Sequence, residues 1–121
     1  MTKAIEEYSL TDLMKRIEEI FNENPGPIQG FEAIVQYDIY GDAEGTYQHF
    51  FQDGKLTIKE GAGASPVCTM QMSYDNFKKS LLGKLSGTMA LLTGKVKVKG
   101  DISTGLKIES IVKKYKIKER L

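Results

Sequence analysis

The first third of the chain alternates between two hydrophobic periods. Leu10, Leu13, Met14, Ile17, Ile20 and Phe21 recur at steps of three and four, while Asp12, Lys15, Arg16, Glu18, Glu19 and Asn22 take the opposite face. This spacing predicts an amphipathic helix, with Ser9 as N-cap and Asp12 three positions on as a weak capping box. Asn24-Pro25-Gly26-Pro27 ends it, because proline cannot continue a helix and holds its predecessor extended. The period then drops to two. Phe31, Ala33, Val35, Tyr37 and Ile39 alternate with more polar neighbours, a loop at 41–45 leads into a strand over 46–52, and Asp53-Gly54 is a two-residue hairpin signal before Leu56-Thr57-Ile58. Three strands of a meander are expected. After a flexible stretch at 61–66, a fourth strand places Cys68, Met70 and Met72 on the face meant for the helices and Thr69 and Gln71 on the other.

Residues 73–108 carry the densest signals. Ser73 reads as an N-cap with Asp75 in the first turn, Tyr74, Phe77 and Leu81 share a helical face, and Gly83 stops the helix. A second apolar run, 89–92, ends at Gly94. Val96 and Val98 then alternate with Lys95, Lys97 and Lys99, giving a fifth strand that is apolar on one face and cationic on the other. The two short helices before it are long enough for a crossover from the fourth strand. In the last helix Ile108, Ile111, Val112 and Tyr115 share one face while Ile102 and Leu106 point elsewhere, so that helix has two things to cover. The expected fold is α+β: a five-stranded, mostly antiparallel sheet with the helices gathered on one face.

The 121 residues are expected to form a single domain over 1–121. A hydrophobic content of 40% and charged content of 27% are those of a globular protein, and no apolar run approaches the roughly 20 residues of a membrane span. The N-terminus lacks the pattern of a signal peptide and the single cysteine forms no internal disulfide, so a cytoplasmic location is expected. The net charge of +1 conceals two halves: residues 1–66 carry 5 basic and 12 acidic side chains, residues 67–121 carry 12 and 4. An acidic half argues against wrapping nucleic acid, whereas a local basic face suits anionic lipid.

Catalytic machinery is hard to find. His49, the single histidine, lies mid-strand with no motif partner, and a structural or solvent-facing role fits it better than a catalytic one. Cys68 belongs to an apolar strand face, where a lone thiol is inert and a poor metal site. Asp38, Asp42 and Glu44 read as solvated loop charge. Gly61-Ala62-Gly63 is too short for a dinucleotide fingerprint, and Thr93-Gly94-Lys95 is followed by Val96 where a phosphate loop needs Ser or Thr. No enzyme activity, cofactor or metal is expected.

The residues Cys68-Thr69, Met72-Ser73, Phe77, Gly83-Lys84-Leu85, the block from Gly94-Lys95 to Gly100-Asp101, and Lys107 resemble the sterol carrier protein 2 family of small lipid-binding and lipid-transfer domains. Ser86-Gly87 stands where the family often has Asp or Asn with Pro, and Val67 where it usually has Asp. The end, Glu119-Arg120-Leu121, is a poor match to a peroxisomal Ser-Lys-Leu signal, so a cytoplasmic, prokaryotic, stand-alone member is expected. The resemblance implies an apolar tunnel between sheet and helices, closed by the C-terminal segment. The expected lining is Met70, Met72, Phe77, Leu81, Met89, Leu91, Leu92, Val96, Val98, Ile102 and Leu106, with adaptable methionines suited to ligands of different shape. The implied function is a carrier of a fatty acid, fatty acyl-CoA, sterol-like or other hydrophobic ligand, with transient contact with anionic membrane through Lys95, Lys97, Lys99, Lys113, Lys114, Lys116 and Lys118. The alternative is an interaction or dimerisation module of the same fold whose cavity is filled, with Phe50, Phe51 and Tyr47 as candidate fillers. Monomer and dimer both remain open.

Overall fold

A computed structural model describes residues 3–121, and its elements follow the order read from the periods. Helix α1 (Leu10–Glu23) starts where the Ser9 hydroxyl accepts the Asp12 amide, and it buries Leu10, Leu13, Met14, Ile17, Ile20 and Phe21. Strands β1 (Ala33–Tyr40), β2 (Gly45–Gln52) and β3 (Lys55–Glu60) form the meander. The Asp53-Gly54 turn has φ of 55° and 72°, the left-handed pair that matches the twist of a two-residue hairpin. Then come β4 (Cys68–Ser73), α2 (Tyr74–Leu81), α3 (Gly87–Leu92), β5 (Val96–Gly100) and α4 (Ile102–Tyr115).

The sheet order is β3-β2-β1-β4-β5. Three of its pairings are antiparallel and β1 with β4 is parallel, so the sheet is mixed. The crossover expected of the helices lies elsewhere. α2 and α3 are an excursion between antiparallel neighbours, and it is residues 61–67 that carry the chain from the β3 edge to the far side of β1.

That short crossover runs over the sheet face opposite the helices, held by one side chain. Gln48 lies on the outer face of β2 yet is only 2% exposed. Its amide nitrogen donates to the Ala64 carbonyl at 2.8 Å and its carbonyl oxygen accepts the Ala64 amide at 3.1 Å, as a neighbouring strand would. A further bond from the same nitrogen to Gln36 Oε1 ties it to β1 at 2.9 Å.

The helical face divides in two. Over β1–β3, α1 and the chain's end make a filled aromatic core in which Tyr115 stacks on Phe21 at 4.1 Å and Phe51 packs against Phe31 at 4.9 Å. Over β4 and β5, the helices α2, α3 and α4 enclose a space between them. The cover of that space is α4. Residues 116–121 run on to α1, where Arg16 donates to the Arg120 carbonyl at 2.7 Å and Tyr8 to that of Leu121 at 3.1 Å.

Candidate functional site

The space under α4 is an apolar pocket walled mainly by β4, β5, α2, α3 and α4. Val96 and Val98 of β5 stand opposite Met72 and Met70 of β4, so four side chains of one sheet face form its floor. Phe77 and Leu81 of α2 close one end, Leu91 and Ala90 of α3 another, and Ile102, Leu106, Ile108 and Val112 of α4 the roof. The cavity itself measures about 80 Å³ and widens into a mouth open to solvent. It is therefore a narrow slot, wider than a packing defect.

Two features shape how α4 meets the floor. Gly105 stands above β4, where a methyl group would rest in ordinary contact with Met70 Sδ at 3.5 Å and Cys68 Sγ at 3.9 Å, so the helix lies close over the two sulfurs there. Asp101 caps the helix by accepting the Ser103 hydroxyl at 2.6 Å, the Thr104 hydroxyl at 2.9 Å and the Ser103 amide at 3.0 Å, and the two hydroxyl bonds chiefly hold its carboxyl below the usual range. Immediately before it, Gly100 has φ 91°, and a Cβ there would strike the Val67 carbonyl oxygen. The Gly100-Asp101 pair is thus a turn that only glycine allows, followed by a cap that starts the roof.

Nine of the eleven residues expected to line the site are brought together: Met70, Met72, Phe77, Leu81, Leu91, Val96, Val98, Ile102 and Leu106. Met89 and Leu92 are not. They lie on the outer side of α3, 56% and 76% exposed, because a six-residue helix turns fewer than two times and only Ala90 of it is buried. The filler residues also lie elsewhere: Tyr47 and Phe51 belong to the core under α1, and Phe50 faces outward beneath Lys59 Nζ at 5.2 Å. The lining gains Tyr37, Ser80, Leu85, Gly87, Ala90, Gly105, Ile108, Glu109 and Val112. Of these, Ile108 and Val112 were legible as an inward helix face, whereas Tyr37 enters because β1 is the neighbour of β4.

Polar groups are sparse here. Ser80 donates to the Phe77 carbonyl at 2.7 Å, and Glu109 pairs with Lys113 at 3.5 Å while resting against Gly87 at the start of α3. Among the described residues, no lysine, arginine or histidine lines the pocket. His49 lies outside it in the core, its Nε2 3.3 Å from Met14 Sδ and its ring 4.5 Å from that of Tyr37, and burial pulls its pKa down to about 3. Cys68 is buried and free, with its thiol pushed up chiefly by burial. The lysines of β5 are on the other side of the sheet, Lys97 opposite Gln71 and Lys99 opposite Thr69. No helix among the described residues is long and apolar enough to cross a membrane.

Known proteins share this architecture. The solution structure of the sterol carrier protein domain 2 of Helicoverpa armigera superposes with a TM-score of 0.73 over 96% of this chain and 94% of that one, at 22% identity. That of palmitated SCP2L2 from Aedes aegypti gives 0.66 over 87% and 95%, at 19% identity. In sequence, the hydroxysteroid dehydrogenase-like protein 2 of Xenopus tropicalis is 30% identical over 111 residues, 91% of this chain and 26% of that protein. The chain thus spans about a quarter of such relatives' length. The model of the SCP-2 sterol transfer family matches residues 14–113, from within α1 to within α4 and across every wall of the pocket, and the chain belongs to that family.

Proposed function

We propose that this chain is a non-enzymatic lipid carrier that holds a hydrophobic ligand in the pocket between β4, β5 and the helices α2, α3 and α4. The observation that carries this reading is the pocket itself: four floor residues from two strands and a roof from α4, apolar almost throughout and open to solvent. The palmitated state named for the Aedes aegypti neighbour supports a lipid as occupant. Apolar burial supplies enough affinity without a polar motif. At about 0.8 kcal/mol per methylene, a chain of roughly 16 carbons gains on the order of 12 kcal/mol gross, and association costs leave a dissociation constant of about micromolar to nanomolar. The narrow slot widens around such a guest through Met70 and Met72, whose unbranched side chains change rotamer cheaply.

Loading from a membrane suits the same reading. Met89, Leu92, Ile102 and Leu106 are exposed apolar residues on the two helices that frame the mouth, and Lys113 and Lys114 of α4 add cationic reach toward anionic lipid, whereas the lysines of β5, on the other face of the sheet, take no part in this contact. Native mass spectrometry of the purified chain, with organic extraction of what co-purifies, tests the carrier reading. A lipid adduct is the expected result. A clean apo mass that stays unshifted with fatty acids, acyl-CoAs and sterols, together with a stable dimer, overturns it in favour of an interaction module.

A further inference from the structure

The chain has six tyrosines, and one of them is anomalous. The hydroxyl of Tyr8 donates to the Leu121 carbonyl, that of Tyr47 bonds Thr11, that of Tyr74 donates to Tyr8 and that of Tyr115 to Asn24. Tyr40 is exposed to water. Tyr37 alone is buried, at 6% exposure, with no hydrogen bond from its hydroxyl to any other described residue. Leaving a buried hydroxyl unpaired is costly, and in this fold every described side-chain nitrogen or oxygen sealed from water has a partner. The Tyr37 hydroxyl is therefore not sealed. The space it meets is the pocket, which its residue lines. Its ring is fixed from two sides, by His49 at 4.5 Å and edge-on by Phe77 at 5.6 Å, so the hydroxyl cannot swing away to find a partner within the protein.

The geometry points to Tyr37 as the polar anchor of the pocket, a single hydrogen-bonding site at its inner wall that selects a lipid entering with a neutral hydroxyl or carbonyl group foremost. This rests on the carrier reading and narrows it. The anchor can give one hydrogen bond and take another, which matches an alcohol, ketone or ester. It does not match an ionised carboxylate. No cation lines the pocket, the one charged lining group is the acid Glu109, and desolvation already raises the Tyr37 hydroxyl well above the ordinary range, which marks a place hostile to negative charge. A fatty acid would enter tail first and leave Tyr37 untouched.

The test uses the full chain, with Nile Red as a neutral reporter displaced by tetradecan-1-ol, by pentadecane as the chain of equal length without the hydroxyl, and by myristate. Each affinity is compared between the wild type and Tyr37→Phe, because transfer from water alone favours the alkane over the alcohol. Tyr37→Phe should weaken binding of the alcohol about tenfold, the worth of one buried hydrogen bond, and leave the affinities for pentadecane and myristate unchanged. Its thermal midpoint should hold or rise, since the hydroxyl holds nothing in the protein; a fall in the midpoint would reveal a structural bond and overturn the assignment. An alcohol affinity that Tyr37→Phe leaves unchanged, or a myristate affinity that falls in parallel with that of the alcohol, also overturns it while leaving the carrier standing. Failure of the wild type to take up Nile Red or any competitor overturns the carrier reading and the anchor together.

Discussion

His49 has its ring against Tyr37 and its Nε2 toward Met14 Sδ, with no charged group supplying a counterion. Its pKa falls from 6.5 to about 3 because burial penalises the imidazolium. The unfolded chain takes up a proton below about pH 6.5 and the folded chain does not until about pH 3. Stability from this residue is thus complete above pH 6.5 and drains away as the pH falls toward 3. Urea unfolding at pH 7 and pH 4 should show a loss of about 3 kcal/mol that His49→Met removes; an equal acid loss in the variant would place the sensitivity elsewhere. Gly100 is constrained differently. Its φ of 91° and the Val67 carbonyl, itself fixed by accepting the Asp101 amide at 2.9 Å, leave a side chain nowhere to go. Gly100→Ala should destabilise by about 2–4 kcal/mol in denaturant melts. A cost below about 1 kcal/mol would mean that the turn yields, and the wild-type geometry is not obligatory.

Among the elements, the crossover at residues 61–67 is the one held most economically, by the two bonds between Gln48 and Ala64. Gln48→Ala leaves the Ala64 amide and carbonyl without partners under the sheet. The expected cost is about 1–3 kcal/mol, with faster hydrogen exchange at Ala64 than at the β1–β2 amides. Unchanged exchange would show that the backbone bonds at Gly61 and Val67 suffice. This strap also marks where reading the chain as a string stops short. The buried face of α1 was fully legible, since fourteen residues sample the helical period four times. The parallel pairing of β1 with β4 was not, because strand alternation is the same whichever neighbour a strand takes, and Gln48 looks like any outward polar residue until something crosses over it. α3 failed for the opposite reason. Six residues are too few to separate an inner from an outer face, so Met89 and Leu92 could not be told from Leu91.

At the scale of the whole molecule, the helical side of the sheet is full at one end and hollow at the other. Periodicity located the apolar residues of both ends but not the difference between them. Where side chains meet and where they leave a gap depends on how α4 lies over the sulfurs of β4 and on Tyr37 arriving from the far side of the parallel pair. The filled end is tied together by the Phe21–Tyr115 stack and by the chain's end bound to α1. At the hollow end, α3 contributes one buried residue and is bounded by Ser86 at one end and the Gly94 turn at the other. Local opening follows the density of buried contacts, so this corner loosens long before the rest. On the carrier reading proposed above, a guest's residence time would be set by how often this corner swings out, a clock independent of the lifetime of the fold, and one chain could be emptied and refilled many times without coming apart.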